Sequence, residues 1–386
     1  MGKREDVLRV LRGEKPEYLP WFGDLAYWIE YLLDDGLMEQ KYMDEEFGKK
    51  NPDEYRMGIA VPFTGEGLHK LHHDLGVGFY LQGYFPFTEQ NEAKTEIEYK
   101  GDNKIITHET PVGTLREVWF HEHNTHSWAP KERMVKDWRD LAALRWIYEH
   151  TTFTPDYELA ARRVDRAGDE GIVIVYPLRS PLQDLIAVKA GIEAVTYMYL
   201  DARDEFDETF ALMEVKHDET ARIACEAPGD GVLVPENLSS DISSGMFYDK
   251  YLRSIHEKWT GMIRDAGKFS MVHLDGALDP LLTELSKSGF DVIEAVTPKP
   301  VGDLELGELR ERVLENTILW GGIPGGFFHP YLSDEDFDKY VIEAIDVMKS
   351  DGRFVLAVGD QVVPESTYER IRRVDELVKQ YGRIDQ

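Results

Sequence analysis

Short apolar runs alternate with amphipathic stretches through most of the chain. Between the runs, apolar residues recur every three or four positions, which is the spacing of one face of a helix. Each run is consistent with a buried strand that ends near a glycine, a proline or a polar residue. The runs are Gly171–Tyr176, Gly231–Val234, Phe269–Val272, Phe290–Val296, Thr317–Trp320 and Phe354–Val358. Apolar strands alternating with helices predict a parallel sheet that helices cover.

The N-terminal part extends this pattern. Lys3–Leu11 is predicted to be an amphipathic helix, and Tyr18–Phe22 and Gly76–Gln82 are predicted to be the first two strands. The total of about eight strand-plus-helix units favours a (β/α)₈ TIM barrel. We therefore expect an α/β barrel with an N-terminal helical extension, as a single domain over residues 1–386. A doubly wound open sheet is the alternative, but no glycine-rich phosphate fingerprint follows an early strand.

Residues 95–128 depart from the barrel pattern. Polar and apolar residues alternate there around Gly-Asp-Asn and Pro-Val-Gly turns, which predicts a β-hairpin insertion. The insertion carries His108, His121, His123 and His126. Because 121 and 123 share a strand face, a metal site is conceivable, but an exposed strand with spare histidines is the favoured interpretation.

Composition and charge exclude several classes of protein. The chain has 386 residues, 42% of them hydrophobic, and a net charge of −29, which opposes nucleic-acid binding. No apolar run approaches the roughly 20 residues of a membrane span, and the charged N-terminus lacks the apolar centre of a signal peptide. The lone Cys225 excludes an internal disulfide or a CxxC metal site. We expect a cytoplasmic protein with neither nucleic-acid nor membrane partners.

Candidate chemistry is concentrated in Lys268–Pro280. His273 and Asp275 lie two residues apart at the end of an apolar run, so on a strand they would point to the same face. Such a pair makes a metal half-site, an acid–base pair or a hydrogen-bonded structural pair. The sequence leaves these three interpretations open.

Active sites of parallel barrels lie at the carboxyl ends of the strands. Here those ends carry Asp24, Pro181, Gln183, Glu236, Asp241, His273, Asp275, Glu294, Gly322 and Asp360. Several carboxylates around one histidine are unfavourable unless a cation compensates their charge, and a divalent metal would do so. Histidine with carboxylates suits Zn²⁺, with Mn²⁺ or Fe²⁺ as alternatives. Asp275 and Asp360 could instead cap turns, and Glu236 could accept bonds from backbone amides.

Aromatic residues cluster around the first strand. Trp21, Phe22 and Trp28 belong to this cluster, and most such side chains pack in the core. The alternative is that these three rings, with Pro181 from a later strand end, line a pocket for a flat or apolar substrate.

Three segments carry a family resemblance over nearly the whole chain. They are KREDVLRVLRGEKPEYLPWF at the start, DGALDPLLTELSKSGFDVIEAV from Asp275, and FVLAVGDQVVPES from Phe354. In this order the chain resembles the uroporphyrinogen decarboxylase superfamily. The true decarboxylases of that superfamily carry an arginine-rich stretch after the first strand, whereas Trp21–Trp28 contains no arginine. The aspartate that they place after the second strand has no clear match in Tyr80–Pro86.

The other branch of the superfamily contains corrinoid-dependent methyltransferases, including O-demethylase components and methylcobalamin:coenzyme M methyltransferases. Their zinc is held by a His-x-Cys and by a cysteine in the final glycine turn. The matching positions here are His273, Asp275 and Asp360, so aspartate replaces both cysteines. The resemblance implies a metal, with zinc first, at these three residues, completed by Glu236 or Glu294. An oxygen-rich site is a harder Lewis acid, suited to an ether or hydroxyl oxygen.

The resemblance implies an enzyme that transfers a methyl group from a small methoxylated substrate, such as a methoxyarene, to a corrinoid. The implied catalytic residues are His273, Asp275, Asp360 and Glu236. The chain has nothing similar to an Asp-x-His-x-x-Gly cobalamin motif, so the cobalamin is expected on a separate corrinoid protein. The alternatives are a metal-free decarboxylase of the same fold and a non-catalytic barrel that binds a tetrapyrrole or corrinoid.

Overall fold

A computed structural model describes residues 2–47, 64–80, 84–243 and 245–384. The strands in these ranges are β1 (Trp21–Phe22), β2 (Phe87–Gln90), β3 (Lys94–Lys100), β4 (Asn103–Thr110), β5 (Gly113–Glu122), β6 (Ser127–Glu132), β7 (Thr152–Pro155), β8 (Ile174–Val175), β9 (Gly231–Leu238), β10 (Phe269–Leu274), β11 (Val292–Val296), β12 (Ile318–Pro324) and β13 (Phe354–Gly359).

The α-helices in the same ranges are α1 (Lys3–Leu11), α2 (Ala26–Asp34), α3 (Glu66–Leu75), α4 (Leu141–Glu149), α5 (Glu158–Ala167), α6 (Pro181–Gln183), α7 (Ile192–Asp201), α8 (Arg203–Glu226), α9 (Ser240–Ser243), α10 (Arg253–Asp265), α11 (Leu281–Lys287), α12 (Asp334–Lys349) and α13 (Tyr368–Tyr381). Asp184–Lys189 and Tyr248–Leu252 are π-helical. Within the described ranges, no helix is both long and apolar enough to cross a membrane.

A parallel β-barrel organises the chain. In the described residues, seven strands pair in the order β1-β13-β12-β11-β10-β9-β8, and every pairing is parallel. Between β1 and β8, Gly78 pairs with Phe22 and Phe79 pairs with Gly171, also in parallel. This segment closes the sheet into an eight-stranded barrel, which confirms the predicted fold class. Part of the predicted second strand, residues 81–82, lies outside the described residues.

Alternation along each strand separates an inner from an outer apolar layer. Leu233 and Met271 belong to the cluster inside the barrel, whereas Val234 and Val272 belong to the cluster between barrel and helices. Both sets are almost fully buried. Because successive side chains on a strand point to opposite faces, this pattern fixes which polar residues at the strand ends face the barrel axis.

Helix α1 seals the amino end of the barrel. Its buried apolar residues join the inner cluster, and they are Val7, Leu8, Val10 and Leu11. Arg4 fixes the helix by donating to the carboxylate of Asp230 at 2.5 Å and to the carbonyl of Gly171 at 2.8 Å. These two partners lie at the starts of β9 and β8, so the helical extension predicted from the sequence is the barrel floor.

The insertion is a four-stranded antiparallel sheet in the order β3-β4-β5-β6, which confirms the predicted hairpin. The two turns read from the sequence account for three of these strands, and β6 adds a further hairpin. Leu115 and Trp119 on β5 are buried, so one face of this sheet packs on the body of the protein. Strands β2 and β7 pair with each other on either side of the insertion and hold its two ends together.

Candidate active site

A chain of three side chains crosses the carboxyl end of the barrel. His273 Nδ1 lies 2.6 Å from Glu294 Oε2, and the Tyr80 hydroxyl donates to Glu294 Oε1 at 3.1 Å. Met271 and Val292 belong to the inner cluster, so His273 and Glu294, two residues further along each strand, also face the axis. Because a carboxylate accepts hydrogen bonds, Nδ1 carries the proton and Nε2 faces the other way.

Asp360 faces that second nitrogen. It follows β13, and its Oδ1 lies 3.7 Å from His273 Nε2. Its backbone is left-handed, with φ of 60°, which bends the chain directly after the strand. The Asp360 side chain is 37% exposed, whereas Glu294 is 1% exposed. The imidazole therefore lies between one buried carboxylate and one that opens toward the barrel mouth.

The carboxylates at the mouth raise one another's pKa. Burial raises the pKa of Asp24 to about 8, with contributions from the charges of Asp360 and Glu294, although the Ala26 N–H bonds Asp24 Oδ1 at 2.8 Å. Burial and the charges of Asp275 and Glu294 likewise raise the pKa of Asp360 to about 6, against the opposing effect of His273. This end of the barrel thus carries more negative charge than its one imidazole neutralises.

The same carboxylates stabilise a cation at His273. Burial by itself lowers the pKa of His273, but the charge and hydrogen bond of Glu294 outweigh it. The charges of Asp360 and Asp275 add to this effect and bring the pKa to about 9. The site consequently favours a positive charge at the position of the imidazole.

Asp275 borders this group. It follows β10, two residues beyond His273, and its backbone N–H donates to the Leu238 carbonyl at 2.7 Å. Its charge contributes to the raised pKa of both His273 and Asp360. The structure therefore brings together four of the predicted residues, namely His273, Asp275, Glu294 and Asp360.

Glu236 does not join them, contrary to the expectation that it could complete the site. It is fully buried on the outer side of β9, where its Oε1 lies 2.7 Å from His256 Nε2 on α10. The backbone N–H and hydroxyl of Ser180 donate to its other oxygen at 3.1 and 2.9 Å. Leu233 points inward on this strand, so a residue three positions further along points outward.

The predicted pocket residues are also placed elsewhere. Trp21 is 2% exposed and stacks on Phe328, and the Trp28 indole N–H donates to the Ser366 carbonyl at 2.8 Å in the outer layer. Phe22 is buried inside the barrel. Pro181 is buried as the first residue of α6. The three aromatic side chains therefore pack in the core, in the apolar layers inside and outside the barrel near β1.

Two residues of the site were not among the predicted ligands or catalytic groups. Tyr80 lies on the segment that closes the barrel, and its hydroxyl reaches Glu294 while its ring packs on Trp320 at 5.0 Å. Asp24 is among the strand-end residues of the sequence, and it lies two residues after the inward-facing Phe22, so alternation along the strand indicates its direction.

The donor set is partly suited to a metal. A metal at His273 would displace the Nε2 proton that a pKa of about 9 implies at neutral pH, while Glu294 would hold the Nδ1–H, as a carboxylate commonly does for a metal-binding histidine. Asp360 faces the same nitrogen, and the surplus negative charge would be relieved by a cation. In the part of the chain that the structure describes, however, no three histidine, cysteine or acidic side chains are already placed as ligands of one ion.

One comparison with known proteins supports the fold. No protein-family model and no curated protein matches the chain. Among solved structures, it is similar to a methyltransferase from Methanosarcina mazei, with 14% identity, a TM-score of 0.62 and 99% of each chain covered. It also matches the GH18 chitinase ChiB of Flavobacterium johnsoniae at 10% identity and a TM-score of 0.30, over 58% of this chain and 81% of that one. At these identities the first match supports the barrel fold, and the second carries no argument.

Proposed function

We propose that this protein is a methyltransferase that moves a methyl group from a small methoxylated substrate to a corrinoid carried by a separate protein. The single observation that carries the proposal is the position of His273 between Glu294 and Asp360 at the carboxyl end of the barrel. The full-length similarity to a methyltransferase of the same fold supports it. The corrinoid acceptor in this proposal rests on the resemblance of three sequence segments to the uroporphyrinogen decarboxylase superfamily, one branch of which contains corrinoid-dependent methyltransferases.

In the proposed reaction, the bond between the methyl carbon and the substrate oxygen breaks. The methyl group passes to cob(I)alamin, which donates the electron pair for the new cobalt–carbon bond. The substrate oxygen keeps the electron pair of the broken bond and takes up a proton. Nothing else is oxidised or reduced, so the reaction requires no further redox partner.

The residues of the site have separate roles in this proposal. Glu294 and Tyr80 orient His273, so that its Nε2 faces the mouth. His273 and Asp360, with Asp275 beside them, would hold a divalent metal, and such a metal would supply Lewis-acid polarisation of the substrate oxygen. Asp24, whose pKa is raised by burial, would donate the proton to the departing oxygen.

The experiment is methyl transfer by the purified protein. Candidate methoxyarenes are mixed with cob(I)alamin, and methylcobalamin formation is followed by its absorbance. We expect turnover by the wild type and loss of turnover in His273→Ala, with the fold retained by circular dichroism. Treatment with a chelator followed by zinc, manganese or iron tests the metal.

The outcomes separate this function from its alternatives. Full activity of His273→Ala, or of chelator-treated protein, would contradict the proposed site or its metal, respectively. Release of carbon dioxide from a porphyrinogen without any corrinoid would favour the decarboxylase chemistry instead.

A further inference from the structure

A separate cleft of about 490 Å³ opens beside the barrel mouth. It lies between the end of α2, the turn that joins β5 to β6, and the segment after β13. The lining residues that matter here are Tyr31, Asp34, Asp35, His121, His126 and Glu365. Because three segments distant in sequence form it, the cleft exists only in the folded chain, and its volume lies in the range of small-molecule sites.

The cleft is negatively charged. Asp34, Asp35 and Glu365 contribute carboxylates, and among the described residues that line it there is no lysine or arginine. Burial raises the pKa of Tyr31, and the charges of Asp35 and Glu365 raise it further, which places both carboxylates near its hydroxyl. These charges therefore act on one common space, while Glu365 Oε2 also lies 3.0 Å from His329 Nε2.

Flat rings form part of the same wall. Tyr31 and His126 meet edge to face with their centroids 5.4 Å apart, and His121 packs against Trp128 at 5.2 Å. His126 is held in place because its Nδ1 lies 2.9 Å from Asp34 Oδ2, across the boundary between the insertion and α2. Aromatic faces beside carboxylates attract ammonium groups by cation–π and charge interactions.

The cleft and the candidate active site share one segment of the chain. Glu365 lines the cleft and comes shortly after Asp360 in the sequence. That segment is fixed because the Val362 N–H donates to the Asp24 carbonyl at 2.9 Å and Gln361 Oε1 accepts from the Tyr27 N–H at 3.0 Å. The same bonded segment thus contributes to both sites, although the cleft has its own lining.

We propose that this cleft binds a small organic cation that carries an alkylammonium group. Carboxylates from α2 and from the segment after β13 neutralise the positive charge, and the rings of Tyr31 and His126 pack against its alkyl groups. An organic cation suits the cleft because aromatic faces lie beside its carboxylates. This inference does not depend on methyl transfer.

The test is a binding titration of the full chain with tetramethylammonium chloride. Isothermal calorimetry and broadening of the ligand methyl resonance in NMR measure the binding. Sodium chloride at equal concentration controls for ionic strength, and tert-butanol controls for the same shape without charge. We expect saturable binding of tetramethylammonium, with a Kd on the order of 1 mM, and none of tert-butanol.

Variants locate the site. Asp35→Asn and Glu365→Gln should each weaken binding about fivefold, because each removes one nearby unit charge. Both side chains lie at the surface, so the fold should survive, and circular dichroism checks this. Glu193→Gln, on the exposed surface of α7, is the matched control and should bind like the wild type.

Three results would overturn the proposal. They are an absence of saturable binding by the wild type, equal binding by a variant lacking both carboxylates, and equal binding of tert-butanol. Tyr31→Ala provides an independent check, since loss of the ring should weaken tetramethylammonium binding while both carboxylates remain.

Discussion

His273 and Glu294 are directly paired residues on neighbouring strands, and their side chains meet at 2.6 Å between Nδ1 and Oε2. The register of β10 against β11 sets this contact, so it does not depend on a loop. A pair held in this way is pre-organised, because the sheet fixes both backbones before any ligand binds.

Replacing Glu294 by glutamine should test the orientation of His273. The amide keeps the shape of the side chain but is a weaker acceptor for the Nδ1–H of His273 than the carboxylate that now orients the ring. We expect activity or metal affinity to fall about 10- to 100-fold, the usual effect of removing a partner of a ligand histidine. Methyl-transfer rates and metal titrations measure this. The exposed Glu369→Gln is the control, and equal rates in both variants would contradict the role of Glu294.

Tyr80→Phe should isolate the contribution of one hydroxyl. The ring keeps its packing on Phe22 and Trp320, whereas the donor to Glu294 Oε1 is lost. A hydrogen bond to a charged group contributes about 1.5–3 kcal/mol, so we expect kcat to fall roughly tenfold or more while KM changes little. Steady-state kinetics separate the two constants. An unchanged kcat would show that the Tyr80 hydroxyl does not contribute to catalysis.

Glu236→Ala should affect stability and leave the chemistry intact. It leaves His256 without its buried carboxylate partner, and breaking a buried pair in this way typically costs about 3–5 kcal/mol. Urea unfolding measures the loss. The folded fraction should retain the wild-type kcat/KM, and a selective loss of activity at normal stability would return Glu236 to the active site.

Asp24→Asn should change how stability depends on pH. In the folded protein the pKa of Asp24 is about 8, above the usual value of 3.8. Its stabilising contribution is therefore complete below about pH 4 and is lost as the pH rises to about 8. Asparagine does not titrate and can still accept the Ala26 N–H, so the variant should gain stability relative to the wild type over this range.

Thermal unfolding of chelator-treated protein at pH 5, 7 and 9 checks this expectation. The difference in Tm, variant minus wild type, should increase from pH 5 to 9. Asp346→Asn, on the exposed face of α12, should show no such trend. A constant difference across the three pH values would show that Asp24 is ionised in the folded protein throughout.

The strand ends could be predicted from the sequence, but the direction of each side chain could not. Glu236 and Asp360 each lie three residues after an inward-facing residue, Leu233 and Ala357 respectively. Alternation alone would turn both outward. Glu236 follows that rule, whereas the left-handed backbone of Asp360 reverses it. A pattern of apolar residues contains no information about that single dihedral angle.

The barrel itself was predictable because its strands are apolar on both faces and its helices on one. The end of the insertion was harder to predict, since the alternation placed it at residue 128, whereas β6 continues to Glu132. Pro130 lies in β6, at the edge of the four-stranded sheet, where a residue without an N–H is tolerated.

Helix α1 has a kinetic consequence. Because it closes the amino end of the barrel with apolar side chains, the described residues leave the carboxyl end as the approach to His273. A methyl donor and a corrinoid protein would then share a single route, and the larger partner would block it. Product-inhibition patterns should therefore show a compulsory order, in which the small substrate enters first and its demethylated product leaves last.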